Sequence, residues 1–318
     1  MNNKAVLSLC IPIYNRRIYL EKMLARFLED RGLFEEKIEL IISDNHSEEE
    51  LKPVVEDFEA KGLKLRYYRQ ESNLGSDGNF LFCFGKATGK YCWLLGSDDI
   101  PVRGFLKYLV QQLDNDQEFG LVYLRLCHPN KWYSTEKTEI VSSEIIHDNQ
   151  EMLCDINAWI TFMSSSIFRT KFIGSIDLNK YSGTFLIQVP MYVKSCLSSD
   201  KNLLINYNYC FEPDNDNASS GGYNFYGVFV DNLFSILLDF VNCGLLSKSS
   251  YEQFKKNEYN NFLLSNTIGI FVKRNDKIHK IDGAFQILWK HYGHHLYTYY
   301  DLLRYLLVRT VAKFANKH

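Results

Sequence analysis

The chain has 318 residues, of which 46% are hydrophobic and 23% charged, and its formal net charge at pH 7 is −2. This composition is typical of one large globular domain or two, and it excludes a disordered chain, a collagen-like chain and a coiled coil. Because the net charge is close to zero, we expect no nucleic-acid partner. The 21 Tyr, 22 Phe and 4 Trp residues provide a large core and surfaces that can stack on bases or sugars.

The eight cysteines indicate a reducing compartment. No two of them form a CxxC pair, and several lie in apolar runs such as Leu9-Cys10-Ile11, where a thiol packs as a small hydrophobic group. The apolar stretch 5–14 is followed by two arginines rather than by a signal-peptide cleavage site, and no apolar run has the length of a membrane span. We therefore expect a cytoplasmic protein, either free or at the inner face of the cell membrane.

The first 125 residues alternate between strand and helix patterns. Apolar runs typical of buried strands occur at 5–13, 38–43, 63–68, 91–95 and 120–126, and helical patterns lie between them. Repeated strand–helix–strand units predict an α/β fold with a mainly parallel, mixed sheet and helices on both faces. Ligands bind such sheets beyond the carboxyl ends of the strands.

The pattern changes after residue 125, where residues 159–168 (WITFMSSSIF) predict a further strand, and it becomes helical after residue 222. We therefore predict a domain over 1–222, composed of a nucleotide-sugar half (1–125) and an acceptor half (126–222). A helical C-terminal region over 223–318 follows it.

Two adjacent carboxylates, Asp98 and Asp99, follow the apolar strand that ends near Leu95. Carboxylates in this position can hold Mg²⁺ or Mn²⁺ against a diphosphate, because these cations prefer oxygen ligands. The bound metal would offset the charge that builds up on a departing nucleoside diphosphate. The alternative is that one of them caps a helix that begins at Pro101.

Polar residues also follow the first two strands. After the first strand, Tyr14 can stack on a base, Asn15 can bind the base or the ribose, and Arg16 can approach a phosphate. Asp44 follows the second strand and can accept a hydrogen bond from a base or a ribose hydroxyl. The alternatives are ordinary turn residues in the first segment and a helix cap in the second.

The third strand is followed by Asn73-Leu74-Gly75 and then by Asn79. Gly75 allows a close approach of the backbone, and the two Asn side chains can bridge a nucleotide loop to the sheet. The alternative is a simple strand-to-helix turn.

The order and spacing of these motifs closely resemble family 2 glycosyltransferases of the GT-A fold. The motifs are Ile11-Pro12-Ile13-Tyr14-Asn15-Arg16, Ile42-Ser43-Asp44-Asn45, Asn73 to Asn79, Ala87-Thr88-Gly89-Lys90-Tyr91 and Ser97-Asp98-Asp99. The resemblance covers residues 4–125. The later part of the chain is similar to the abequosyltransferase-like branch, which builds bacterial surface polysaccharides.

This resemblance implies a nucleotide-sugar donor and a divalent metal, Mn²⁺ or Mg²⁺, with Asp99 as the direct metal ligand beside Asp98. It implies that Pro12, Tyr14, Asn15 and Asp44 hold the donor nucleotide. The candidate donor site as a whole consists of Pro12, Tyr14, Asn15, Arg16, Asp44, Asn73, Asn79, Ser97 and Asp98.

The sequence departs from the family at the general base. Typical inverting members have a carboxylate about ninety residues after the metal motif, whereas residues 181–188 (YSGTFLIQ) contain no acid. The nearest candidate is Asp177, with Asp155 and Asp148 behind it, and each of these also suits a helix cap or a solvated loop. Whether the anomeric configuration is inverted or retained stays open.

Three further features have alternative interpretations. The loop 214–217 (DNDN) predicts turns or a lid rather than an EF-hand, and the histidines in 291–295 suit a helix end better than a metal site. Residues 271–318 contain nine Lys and Arg against three Asp and Glu, and the last helical pattern, 296–314, is amphipathic and basic. This helix predicts peripheral contact with an anionic membrane, or else packing against the domain or in a homodimer.

We therefore predict a glycosyltransferase that moves a sugar from a nucleotide-sugar donor to a hydroxyl of a polysaccharide or a lipid-linked oligosaccharide. The alternative is a non-catalytic GT-A relative that binds glycans or partner proteins, and the absent late carboxylate is its best support. A nucleotidyltransferase is disfavoured, because the segment after the first strand lacks a glycine- and arginine-rich loop.

Overall fold

The computed structural model describes residues 5–126, 140–207, 222–267 and 280–295. These residues form one eight-stranded sheet. Its strands are β1 (Leu7–Ile13), β2 (Ile38–Asp44), β3 (Arg66–Arg69), β4 (Tyr91–Leu94), β5 (Leu121–Leu126), β6 (Ile140–Ile146), β7 (Ser166–Arg169) and β8 (Asn202–Tyr207). They lie side by side in the order β3-β2-β1-β4-β7-β5-β8-β6.

The helices lie on both faces of this sheet. They are α1 (Arg17–Glu29), α2 (Arg31–Glu36), α3 (Lys52–Ala60), α4 (Gly75–Lys86), α5 (Phe105–Leu113), α6 (Asn149–Ile156), α7 (Val189–Leu197), α8 (Leu233–Asn242), α9 (Lys248–Glu258) and α10 (Ala284–Tyr292). Two π-helical segments, Gly227–Asn232 and Tyr259–Leu263, precede α8 and follow α9. Within the described ranges, no helix combines the length and apolarity that crossing a bilayer requires.

The sheet is mixed and mainly parallel, which confirms the predicted α/β architecture. Strands β1 to β4 are parallel to one another, as are β5 and β8, whereas β7 runs antiparallel between β4 and β5, and β6 is antiparallel to β8. Ile13 lies opposite Asp44 and Cys10 lies opposite Leu94. Because β1, β2 and β4 run in the same direction, the polar segments that follow them meet at one edge of the sheet.

Each face of the sheet buries its own apolar core, as expected for parallel strands covered on both sides. On one face, Leu9, Ile11 and Trp93 pack with α1, α3 and α5. On the other face, Cys10 and Cys92 belong to a core that includes residues of α4 and of α6 to α10. The described helices after residue 222 therefore share a core with the preceding half, and the boundary at 222 stays a prediction.

The predicted strand over 159–168 is wrong for most of its length. Asn157–Thr161 and Met163–Ser165 form 3₁₀ turns, and only Ser166–Arg169 forms a strand. The reason is local hydrogen bonding. The hydroxyl of Thr161 donates to the carbonyl of Ala158 at 2.7 Å, and Ser165 donates to that of Phe162 at 2.7 Å. Such bonds compete with a strand ladder.

A partly buried acid at the opposite edge of the sheet anchors the turn between α4 and β4. Glu39 of β2 accepts hydrogen bonds from Ser8 and Arg66, from the Thr88 hydroxyl, and from the backbone amides of Thr88 and Gly89. A Cβ on Gly89 would stand 2.7 Å from the backbone nitrogen of Ser8, so this position requires glycine. The Ala-Thr-Gly-Lys-Tyr motif therefore fixes the start of β4 against β1.

Substituting Glu39 should destabilise the protein in a pH-dependent way. Burial alone raises the pKa of Glu39, but hydrogen bonds from Ser8 and Thr88 and the charge of Arg66 outweigh burial, and the pKa lies below its usual range. The stabilisation is therefore complete above the unfolded pKa of about 4.3 and is lost as the pH falls through the lower folded value. We expect Glu39→Gln to reduce the free energy of unfolding by about 2 kcal/mol at pH 7.

Urea denaturation at pH 7 and below pH 4 measures this difference. Glu56→Gln is the matched control, because Glu56 is exposed and pairs with Lys52 on α3 at 3.4 Å. It should change the stability by less than about 0.5 kcal/mol. Equal effects of the two substitutions at pH 7 would contradict the anchoring role of Glu39.

Candidate active site

The end of β2 carries a fully buried carboxylate, Asp44. One of its oxygens accepts from the Ser47 amide at 2.8 Å, and the other accepts from the Tyr67 hydroxyl at 2.6 Å and from Arg69 at 3.1 Å. Burial and the hydrogen bond to Asp44 raise the pKa of Tyr67, so its hydroxyl stays a donor. Asp44 therefore fixes the loop after β2 to strand β3.

The loop after β1 is held against the loop after β2. The backbone N–H of Asn15 donates to the Ser47 hydroxyl at 2.7 Å. The side-chain oxygen of Asn15 accepts from the backbone N–H of Glu48 at 2.9 Å. Asn15 and Arg16 both adopt left-handed backbone conformations, with φ of 58° and 65°. Such strain in non-glycine residues is concentrated at functional sites. Tyr14 is 43% exposed at this edge, and Pro12 precedes it within β1.

Asparagine side chains connect β2 to the start of α4. Asn45 donates to the side chain of Asn73 at 2.9 Å and accepts from the amide of Leu74 at 2.8 Å. Asn79 is buried and donates to the carbonyl of Ser43 at 3.1 Å. Gly75 has a φ of 71°, which favours glycine. Asn73 and Asn79 thus bridge the loop to the sheet, as predicted, and their role toward a donor stays a prediction.

The acidic pair lies at the end of β4 on the same edge. Asp99 is 5% exposed and accepts from the Ser164 hydroxyl, which in turn accepts from the Gly96 amide at 2.8 Å. Asp98 forms an ion pair with Arg16 at 2.6 Å, and Ser97, which precedes the pair in sequence, is buried. The pair is not a helix cap, because α5 begins at Phe105 with Gly104 as its N-cap.

This pair can accommodate a divalent cation. A Cβ on Gly96 would stand 3.1 Å from an oxygen of Asp98 and 2.6 Å from an oxygen of Asp99, so the two carboxylates crowd one side of the glycine. Burial is the largest cause of a strongly raised pKa at Asp99, and the charge of Asp98 raises it further, while Ser164 and Arg16 oppose the shift. A cation would relieve this cost of burying negative charge.

The described residues bring no third protein ligand of this kind to the Asp98–Asp99 pair. Across the described ranges, no three His, Cys, Asp or Glu side chains cluster as a metal site. A cation at Asp98 and Asp99 would therefore draw its remaining ligands from the diphosphate and water, which is how Mg²⁺ is commonly bound beside phosphates. The donor set consists of oxygens and fits such a cation.

The structure places the candidate base Asp177 away from these contacts. It is exposed and caps the 3₁₀ helix Leu178–Tyr181, and it accepts from the amide of Asn179 at 3.1 Å. Asp148 caps α6, and Asp155 is exposed. In the part of the chain that the structure describes, no hydrogen bond or ion pair connects these three acids to the Asp98–Asp99 pair.

Residues that the sequence analysis did not single out contribute to the site. Ser164 orients Asp99. Asp77 of α4 accepts from the amides of Gly183 at 2.8 Å and Phe185 at 3.2 Å. Gln188 donates to the carbonyl of Thr161 at 2.9 Å. The three serines inside the apolar run 159–168 are a sequence signal that could have pointed to Ser164. The contacts of Asp77 and Gln188 join distant parts of the chain and leave no such signal in the sequence.

The remaining predicted features are the histidines in 291–295, the loop 214–217 and the basic C-terminal segment. α10 ends at Tyr292, as the helix-end interpretation predicts, and His291 pairs with Asp231 at 2.7 Å. The loop 214–217 and the basic segment 296–314 lie outside the described residues.

Comparison with protein families decides the class of the protein. Residues 8–176, more than half of the chain, match the family model described as glycosyl transferase family 2. The chain belongs to glycosyl transferase family 2. The predicted membership and the assignment as a glycosyltransferase enzyme are thereby confirmed.

Two curated relatives are similar in sequence to part of this glycosyltransferase. The abequosyltransferase RfbV of Salmonella typhimurium is 29% identical over 192 residues, which cover 56% of this chain and 57% of the relative. The GalNAc(5)-diNAcBac-PP-undecaprenol beta-1,3-glucosyltransferase of Campylobacter jejuni is 28% identical over 107 residues, which cover 33% of this chain and 34% of the relative. The chain thus matches little more than half of the first protein and a third of the second.

Solved structures confirm the GT-A-type fold. Staphylococcus aureus TarS 1–349 in complex with UDP superposes with a TM-score of 0.60 at 16% identity and covers 88% of this chain and 77% of that chain. The mannosyltransferase PcManGT of Pyrobaculum calidifontis, in complex with GDP-Man and Mn²⁺, superposes with a TM-score of 0.51 at 12% identity. That match covers 87% of this chain and 83% of the other.

Proposed function

We propose that this glycosyltransferase moves a sugar from a nucleotide-sugar donor to a hydroxyl of a polysaccharide or lipid-linked oligosaccharide, with the help of Mn²⁺ or Mg²⁺. The observation that carries the proposal is the connected edge of the sheet. Asp98 pairs with Arg16, and the neighbouring Asn15 binds Ser47 beside Asp44. Three strand ends are thereby joined, with carboxylates after β4 and the exposed Tyr14 after β1, and the space beside them is the proposed donor cleft.

The cleft has the groups that a nucleotide requires. The exposed ring of Tyr14 can stack on a base, and Arg16 carries a guanidinium that can bind phosphate in a bidentate manner. Asp44 has no exposed surface, so its proposed contribution is to hold Arg69 and the loop after β2 in place. Asn73, Asn79 and the neighbouring backbone would hold the loop on the other side.

Asp98 and Asp99 would hold the cation and the diphosphate. A divalent metal bound there neutralises negative charge that develops on the departing nucleoside diphosphate. Asp99 is kept in position by Ser164, and Asp98 by Arg16, so both carboxylates are oriented before a ligand binds. The GDP-Man and Mn²⁺ in PcManGT support this assignment.

The acceptor class is supported by the relatives. One is named an abequosyltransferase, and the other is named for a glycan linked to undecaprenol. Both names fit an acceptor that is a growing surface glycan or its lipid-linked precursor. The alternative function is that of a non-catalytic relative that binds glycans. The observation on its side is the absence of an acid in residues 181–188.

Asp99→Asn tests the metal and diphosphate site. The substitution keeps the acceptor oxygen for Ser164 and removes the charge, and we expect nucleoside diphosphate release to fall at least about 100-fold. The measurement is hydrolysis and transfer over a panel of UDP-, GDP-, dTDP- and CDP-sugars with Mn²⁺, with Mg²⁺ and with EDTA.

Asp114→Asn is the matched control for this experiment, because Asp114 follows α5 and pairs with Lys37 at 2.8 Å, remote from the carboxyl ends of β1 and β4. It should release nucleoside diphosphate at the wild-type rate. Donor binding without cleavage across the whole panel would instead support the non-catalytic relative. Full activity in EDTA would refute the proposed requirement for a divalent metal.

Asp177 remains the proposed general base. Asp177→Asn should lower kcat for transfer about 100-fold and leave donor binding unchanged, because a general base acts on the acceptor hydroxyl. The comparison variant is Asp200→Asn, an exposed acid of the acceptor half that is not among the candidate bases. Unchanged transfer by the Asp177 variant would remove it from the mechanism.

We also propose that the basic C-terminal segment contacts the inner face of the membrane, with a homodimer contact as the competing use of the same segment. Its support is the charge of residues 271–318 and the amphipathic pattern of 296–314. Replacing Arg304, Arg309 and Lys313 together by Gln should weaken flotation with vesicles rich in anionic lipid, by about 1 kcal/mol per charge. Flotation equal to wild type would exclude the membrane contact.

A further inference from the structure

The ion pair between Arg16 and Asp98 is open to solvent. Nη1 of Arg16 lies 2.6 Å from an oxygen of Asp98, and the two side chains are 37% and 36% exposed. The carboxylate at the neighbouring strand end differs, because Asp44 has no exposed surface and both Tyr67 and Arg69 donate to it. Solvent screening makes an exposed pair weak, so ions from solution can compete for both of its members.

The backbone around Arg16 is fixed, so a change of partner requires movement of its side chain alone. The backbone N–H of the neighbouring Asn15 donates to Ser47 at 2.7 Å, and its side chain accepts from the backbone N–H of Glu48 at 2.9 Å. The carbonyl of Arg16 accepts from the backbone N–H of Leu20 at 3.1 Å, at the start of α1. The guanidinium is therefore a charge on a long side chain with several rotamers, attached to a rigid turn.

The proposed cation and Arg16 compete for Asp98. A cation bound to the carboxylates of Asp98 and Asp99 would stand beside a guanidinium on the same carboxylate, and like charges repel one another. Arg16 precedes α1, whose first turn (17–20, RIYL) contains no acid, and a helix N-terminus disfavours a cation without an anion beside it. A displaced guanidinium needs a new anion. A diphosphate on the cation supplies one, and guanidinium binds phosphate oxygens in a bidentate manner.

We propose that Arg16 changes its partner when ligands bind: it pairs with Asp98 in the free protein and with the diphosphate once a cation has taken Asp98. A cation that binds alone must break the ion pair without replacement, whereas a nucleotide that binds with it gives Arg16 a new anion. Each ligand thereby strengthens the binding of the other. This inference rests on the proposed metal-dependent donor site and describes how the protein couples the two ligands of that site.

Arg16→Gln tests the exchange through binding measurements on the full chain. Mn²⁺ binding without nucleotide, followed by electron paramagnetic resonance, should tighten about threefold to fivefold, because the competing guanidinium is gone. Calorimetry with UDP, GDP, dTDP and CDP then gives nucleotide affinities in Mn²⁺ and in EDTA. For a nucleotide that wild type binds, the affinity in Mn²⁺ should fall about tenfold, because a charge-assisted contact to phosphate is lost.

The decisive quantity is the ratio of the nucleotide affinity in Mn²⁺ to that in EDTA. It should be about threefold to fivefold smaller in Arg16→Gln than in wild type, because linkage makes it fall by the factor that Mn²⁺ gains when it binds alone. The complex of Mn²⁺ with nucleotide in solution enters the values of both proteins equally and cancels in this comparison.

Arg17→Gln is the matched control, because Arg17 is the next residue and pairs with Glu21 on α1 at 3.1 Å. It should keep the wild-type Mn²⁺ affinity and the wild-type ratio. Tighter Mn²⁺ binding by Arg16→Gln with an unchanged ratio would indicate charge repulsion alone and would overturn the exchange, as would an unchanged Mn²⁺ affinity. Both results leave the proposed function standing. A wild-type protein that binds none of the four nucleotides in Mn²⁺ would overturn the proposed donor site together with the exchange.

Discussion

The ion pair between Arg16 and Asp98 joins the loops after β1 and β4 at the carboxyl ends of the strands, where the donor cleft is proposed. Both side chains are about one-third exposed, so the pair contributes less than about 1 kcal/mol to stability. Its importance is geometric. It holds the loop after β1, with its two left-handed residues, against the loop after β4, while Ser47 holds the same loop against β2. Tyr14, Asn15, Arg16, Ser97 and Asp98 of the proposed donor site lie on these connected loops, and Asn73 lies on the Asn45–Asn73 bridge.

A cost in stability accompanies this arrangement. Asp99 is buried next to a second carboxylate, and burial raises its pKa strongly. Ser164 supplies one hydrogen bond, which does not compensate for a buried charge beside a like charge. A site that is costly when empty gains most from a cation and a diphosphate, so the same feature that destabilises the protein favours the ligand. Glu39 at the opposite edge has five donors around it and serves the fold alone.

The elements that sequence could predict are those with local signals. Strands β1, β2 and β4 are continuous apolar runs, and the polar residues after them identify the edge that holds Asn15, Asp44, Asp98 and Asp99. The prediction of a strand over 159–168 is wrong because local hydrogen bonds compete there with strand pairing. Ser and Thr hydroxyls in this segment donate to nearby backbone carbonyls. The contact of Ser164 with Asp99 and the ring contact of Trp159 with Phe262 join residues far apart in the chain, so neither periodicity nor spacing could reveal them.

The most direct measurement is diffraction from crystals grown with a nucleoside diphosphate and Mn²⁺, recorded at the manganese absorption edge. The cleft described here predicts an anomalous peak about 2.1 Å from an oxygen of Asp99 and from the phosphate oxygens, with the base near Tyr14. A diphosphate bound elsewhere, or Asp98 and Asp99 turned away from the phosphates, would contradict it.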